Sequence, residues 1–159
     1  MRWRLALLKE RGLGLPEIQN VIAQIDPLPG AREFMDELRS RTQVVILSDT
    51  FQEFAQPLMK KLGWPTILCN SLVVSASGEI TDFTMRCPQS KLTTVRAFQS
   101  IGYKTIAAGD SYNDLDMILA SHAGFLFRST EKIKADHPQL PAFETYDELL
   151  NGILGAMHA

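Results

Sequence analysis

Residues 44–50 read Val-Val-Ile-Leu-Ser-Asp-Thr, and residues 105–114 read Thr-Ile-Ala-Ala-Gly-Asp-Ser-Tyr-Asn-Asp. Each is a short apolar run that breaks off into small and acidic residues. Val44–Leu47 has the composition of a strand buried on both faces of a parallel sheet. Working outward from it, Thr50-x-x-Glu53 predicts a capping box that opens a helix to about Leu62. Gly63 closes that helix, and Thr66 to Leu68 predicts a further short strand. Around the second stretch, Ser90 is the expected cap of a helix carrying Val95, Phe98 and Ile101, ended by Gly102. A helix follows from about Asn113 to Ser121, then a buried strand over Gly124–Phe127 and a last helix over 146–157. Repeated strand–helix units predict an α/β fold with a doubly wound parallel sheet, whose sites lie beyond the carboxyl ends of its strands. Residues 72–85 depart from this rhythm: Leu-Val-Val, a Ser-Ala-Ser-Gly turn and Glu-Ile-Thr-Asp-Phe predict a β-hairpin at about 71–85.

The chain ahead of the first strand is helical in pattern. Leu5, Leu8 and the stem of Trp3 share one side of a short amphipathic segment over 2–11, stopped at Gly12. Pro16 suits a first helical turn, and Ile18, Val21, Ile22 and Ile25 recur at helical spacing. Asp26-Pro-Leu-Pro-Gly30 is the clearest break, a stiff crossing between a small helical unit (1–26) and the main body (27–159). Phe34, Met35 and Leu38 then mark a helix over roughly 30–40.

Composition bounds the function. The 159 residues carry 16 Lys and Arg against 18 Asp and Glu, a formal net charge of −2, so a strongly basic nucleic-acid surface is not expected. With 45% hydrophobic and 21% charged residues, the chain is of ordinary globular composition, and no apolar run reaches the roughly 18 residues of a membrane span. Its first residues, MRWRLALLKERG, intersperse charge with apolar positions, unlike a secretory signal. Cys69 and Cys87 fit neither a metal spacing nor a disulfide framework, so a reducing, cytoplasmic setting is the expectation.

Two strand ends could carry chemistry. Ser48 leaves a buried strand just ahead of a helix N-terminus, where a hydroxyl and backbone N–H groups can hold a phosphate; Ser48, Asp49 and Thr50 could equally serve as caps. Asp110, Asn113 and Asp114 stand at i, i+3 and i+4, a spacing that turns them toward one spot over the first helical turn. Oxygen ligands of that kind suit Mg²⁺, which takes one or two carboxylates and keeps positions for water and phosphate. Neutralisation of a helix dipole is the competing reading. Lys91 sits at a helix start, where a cation is poorly placed unless it faces an anion. Arg4 reads as a surface arginine of the first helix, and His122, His137 and His158 are too scattered for a metal trio.

Ser48 after its strand, then Lys91, then GDSYND resemble motifs II, III and IV of the haloacid dehalogenase-like phosphohydrolases, most nearly the phosphoserine phosphatase and homoserine phosphotransferase group. VVILSDTFQEFAQPLM, IAAGDSYND and HAGFLF carry that resemblance over essentially the whole chain. It implies a Rossmann-like core with the remnant of a helical cap over 1–26, and a Mg²⁺-dependent phosphomonoester hydrolase acting on a small phosphorylated metabolite, phosphoserine in serine biosynthesis. Ser48 and the backbone of Asp49 would bind the phosphoryl group. Lys91 would neutralise charge on phosphate and nucleophile, Asp110 would coordinate Mg²⁺, Asn113 would contact substrate, and Asp114 would support the metal from behind. RLALLK at 4–9 resembles the end of the family's cap, so Arg4 would grip substrate. Phosphotransfer to an alcohol such as homoserine is an alternative outcome, and a homodimer is plausible by the same resemblance.

The family's first motif, a strand followed by Asp-x-Asp, supplies the nucleophile and the general acid/base. Here the only Asp-x-Asp is Asp114-Leu-Asp116, inside the fourth motif. The resemblance therefore implies a chain without its central first strand and without the attacking carboxylate, inactive by itself. The alternative is a natural short form that binds phosphate and Mg²⁺ without turnover. The missing strand would lie between the strand ending at Ser48 and the one ending at Asp110, leaving two apolar edges.

Overall fold

The computed structural model describes residues 3, 7, 8 and 10–158. Half of the amphipathic segment expected over 2–11, Arg4 included, lies outside them; the chain turns at Gly12, with φ +64°. Two compact units divide the chain at Pro88 and Gln89.

In the first unit, α1 (Leu15–Ile22) begins with Pro16 in its first turn, and the Glu17 carboxylate accepts the Gly14 N–H at 2.9 Å. Ile25 falls beyond this helix, and both it and Val21 are exposed, so the apolar periodicity overstated the buried stripe. Ile18 does pack inward. α2 (Ala31–Arg41) buries Met35 and Leu38, β1 covers Val45–Phe51, and α3 covers Gln52–Lys61. Pro57 lies inside α3 and has no N–H for the Glu53 carbonyl four residues earlier. The Gln19 side chain of α1 donates to that carbonyl instead, at 2.7 Å, which fastens α1 to α3 at the point where the proline breaks the ladder.

β2 (Thr66–Val74) is one nine-residue strand where the sequence suggested two short ones. It has two partners in succession: its first half runs parallel to β1, its second half antiparallel to β3 (Ile80–Thr84). The hairpin expected at 71–85 is present, and its turn uses Gly78 at φ +86°. Phe51, Leu72 and Ile80 form a core with Leu15, Ile18, Phe54 and Phe83 around it.

The second unit holds α4 (Ser90–Ser100), β4 (Ile106–Gly109), a single 3₁₀ turn (Tyr112–Asp114), α5 (Leu115–Ala120) and β5 (Ala123–Phe127). It ends with α6 (Glu131–Asp136), β6 (Ala142–Phe143) and α7 (Tyr146–Met157), the last matching the sequence expectation residue for residue. α6 and β6 were not foreseen. β4, β5 and β6 are parallel in that order, and Ile118 of α5 and Leu126 of β5 are fully buried. Gly124 is required: a Cβ there would stand 2.5 Å from the Ile118 carbonyl oxygen.

Two expected caps are not formed. Gln89, in a left-handed conformation, precedes α4, and Ser90 is already its first helical residue. No side chain caps α3: β1 extends through Phe51, and the Glu53 carboxylate accepts the Leu72 N–H of β2 at 2.9 Å. Among the described residues, β1 and β4 each stand at the end of their own three-stranded sheet.

Candidate active site

The first strand end is a bulge. Leu47 pairs with Leu68, and the next pair is Phe51 with Asn70, so Ser48, Asp49 and Thr50 face the single residue Cys69. Surplus residues of this kind re-aim a strand and recur beside active sites. Within the bulge the Thr50 N–H donates to Ser48 Oγ at 3.2 Å, so this amide, expected to be available to a phosphate, is engaged by the neighbouring hydroxyl. The side-chain amide of Asn70 donates to the Asp49 carbonyl at 2.9 Å and accepts the Arg86 N–H at 3.0 Å. Ser48 is half-buried and Asp49 exposed. Burial, then the negative charge of Glu53, push the Cys69 thiol up, with Arg86 acting in the opposite direction.

The second strand end is built around Asp114. Its carboxylate turns back over the loop and accepts from the N–H groups of Asp110 and Ser111, each at 3.2 Å, and from the Ser111 hydroxyl at 3.0 Å. Lys91 Nζ donates to its other oxygen at 2.7 Å, with side-chain exposures of 15% for Lys91 and 8% for Asp114. Lysine at a helix start thus does face an anion. Burial works against the charged carboxylate, but the hydrogen bond and charge of Lys91 and the Ser111 donors outweigh it, holding Asp114 below the usual range. Gly109 permits this closure, since a Cβ there would lie 2.4 Å from that of Asp114.

The expectation that Asp110, Asn113 and Asp114 turn toward one spot needs correction. Asp110 and Asn113 are exposed, whereas Asp114 is buried and committed to the turn. A 3₁₀ turn over 112–114, in place of α-helix, accounts for the difference. Among the described residues no three His, Cys, Asp or Glu side chains converge as a metal cage. One exposed carboxylate beside an exposed amide nonetheless fits Mg²⁺, which keeps several waters and uses few protein ligands. Tyr112, in the same turn, donates to Asp136 at 2.6 Å, and that bond raises its phenol pKa.

Sequence reasoning did not single out Asn70 or Ser111. An amide ending the apolar run Thr66-Ile-Leu-Cys-Asn was a visible signal for the first. For Ser111, the signal was its spacing of three residues from Asp114, which closes a capping box.

The haloacid dehalogenase-like hydrolase family profile matches residues 6–122. The chain belongs to this family. It is 50% identical over 156 residues to the phosphoserine phosphatase ThrH of Pseudomonas aeruginosa, covering 98% of this chain and 76% of that protein. Identity to a phosphoserine phosphatase of Pseudomonas syringae pv. tomato is 49% over 149 residues, covering 94% of this chain and 63% of that one. The chain thus spans three quarters of the first relative and under two thirds of the second. Among solved structures, a phospho-aspartyl intermediate analogue of phosphoserine phosphatase superposes with a TM-score of 0.70 at 23% identity, over 87% of this chain and 70% of that one. An apo phosphoserine phosphatase gives 0.67 at 26%, over 84% and 70%. These relatives agree with the Rossmann-like α/β fold and with the phosphoserine phosphatase and homoserine phosphotransferase group expected from the motifs. No helix among the described residues is long and apolar enough to cross a membrane.

Proposed function

We propose that this chain carries the phosphate- and Mg²⁺-binding part of a phosphoserine phosphatase-type hydrolase, with phosphoserine or a similar small phosphomonoester as substrate. The observation that carries the reading is the buried Lys91–Asp114 pair beneath the Gly109–Asp114 turn, which keeps a cation at a strand end and leaves the Asp110 carboxylate exposed. In this reading 1–26 is the remnant of a cap and 27–159 the core.

Phosphoryl transfer spreads negative charge over three equatorial oxygens, so catalysis is mostly positioning and electrostatics. Bound Mg²⁺ would neutralise part of that charge. Ser48 Oγ accepts the Thr50 N–H through a lone pair, so its hydroxyl proton would donate to a phosphoryl oxygen, and the Asp49 backbone would add a second donor. Lys91 lowers the cost of bringing a dianion near carboxylates. Asp110 would ligate the metal and Asn113 would contact substrate, while Asp114 fixes the Asp110 and Ser111 amides behind them. Arg4, outside the described residues, would meet the substrate's own charged groups.

These residues contain no apolar strand followed by Asp-x-Asp, so turnover needs a carboxylate they do not supply. The same observation favours a second reading, a form that binds phosphate and Mg²⁺ without turnover. Phosphate release from phosphoserine by the 159-residue chain tests the claim of inactivity, and none is expected; addition of a segment carrying strand and Asp-x-Asp is expected to restore it. Release to water against transfer to homoserine is distinguished by the product, and a homodimer by sedimentation.

A further inference from the structure

We infer that Asn70 is a positioning residue for the phosphate-binding strand end, setting the path of residues 48–50 through the carbonyl of Asp49. The inference rests on the reading of Ser48 and Asp49 given above.

A bulge takes backbone groups out of the ladder, and a buried side-chain amide left without its partner costs about 1–3 kcal/mol. Between the pairs Leu47–Leu68 and Phe51–Asn70, the Asp49 carbonyl finds its donor in the Asn70 side chain. Asn70 stands where β2 changes partners: it is the last residue paired with β1, and Ser71 is the first paired with β3. Its amide therefore meets opposite demands, a donor toward Asp49 and an acceptor toward Arg86, just past β3. These two partners fix which end of the amide is oxygen. Asn70 is 2% exposed, so water cannot readily take over either bond. Aspartate has the shape but no donor at neutral pH; leucine has neither group; glutamine places the amide one methylene too far.

The consequence reaches the phosphate site because the segment is short. Asp49 is flanked by Ser48 and Thr50, which are themselves joined by the Thr50 N–H to Ser48 Oγ bond. Turning the Asp49 peptide reorients the hydroxyl and the neighbouring amides together.

The test titrates inorganic phosphate into the 159-residue chain in Mg²⁺ buffer, following backbone amide signals of residues 48–51, with an unfolding midpoint for each variant. Asn70→Asp removes the bond to Asp49 and is expected to shift the Asp49 and Thr50 amides before phosphate is added and to weaken phosphate binding about tenfold. Leu72→Ala, a buried truncation in the same strand, is expected to lower the midpoint while leaving affinity within about twofold of wild type. Wild-type affinity with unshifted amides in Asn70→Asp overturns the inference, as does an equal loss in Leu72→Ala, which would make the effect one of stability. Ser48→Ala tests the underlying reading separately. If wild type and Ser48→Ala alike show no phosphate response at 48–51, that reading fails and takes the inference with it. If the wild type responds and Asn70→Asp responds equally, only the inference fails.

Discussion

Lys91→Met keeps the apolar stem of the side chain and removes its charged ammonium. In the native protein Lys91 Nζ and Asp114 Oδ1 lie 2.7 Å apart, both side chains mostly buried. Removing one partner of a buried pair costs about 3–5 kcal/mol where nothing else compensates. Here Asp114 retains three donors from the turn, the Asp110 and Ser111 amides and the Ser111 hydroxyl, so the lower end applies, about 3 kcal/mol. Urea unfolding at one fixed protein concentration measures it, since any self-association is then held constant. Asp114→Asn and the double variant complete a cycle that isolates the pair from the other contacts of each residue, with an expected coupling of about 1–2 kcal/mol. The sign of the pH dependence follows from the lowered Asp114 value. A depressed carboxyl contributes its stability above the unfolded pKa, near 4, and loses it as pH falls through the folded value. The gap between wild type and Lys91→Met should therefore be full at neutral pH and narrow progressively below about pH 4. A gap under about 0.5 kcal/mol at pH 7, the level of an ordinary surface change, refutes the argument that this pair organises the turn.

Gly109→Ala places a methyl 2.4 Å from Asp114 Cβ, and unfolding should report a loss of about 1–3 kcal/mol, with Asp114 titrating nearer the ordinary carboxylate range by NMR. Gln19→Leu leaves the Glu53 carbonyl at the Pro57 break without its side-chain donor, and thermal unfolding should show about 1–2 kcal/mol of destabilisation. β1 and β4 each end a sheet, so sedimentation velocity at rising concentration should reveal self-association; a monomer at every concentration contradicts this.

What could be read from the sequence was local. α7 was legible residue for residue, because its cap, Thr145 with Glu148, and its apolar spacing both lie within the segment. GDSYND was legible as a closed local turn, because Asp114 bonds to Asp110 and Ser111 within it, but the 3₁₀ geometry that parts Asp114 from Asp110 and Asn113 was not. Thr50-x-x-Glu53 misled because the Glu53 carboxylate is taken by Leu72 N–H, nineteen residues away, a partner that local spacing does not disclose. β2 was split in two for a similar reason. Its continuity comes from exchanging β1 for β3 as neighbour, and a strand that changes partners reads as two patterns. α6 is less than two turns long and β6 has two residues, stabilised by β5 and not by its own composition. Asn70 went unread because its role depends on a bulge register that only pairing establishes.

The central proposal is that binding of a phosphoester by this chain needs Mg²⁺, Ser48 and Asp110. Calorimetric titration of phosphoserine into the 159-residue chain tests it most directly. The account predicts saturable binding at one site, abolished by metal chelation and weakened at least about tenfold by Ser48→Ala or Asp110→Asn. A flat titration, or binding that neither substitution nor chelation alters, contradicts it.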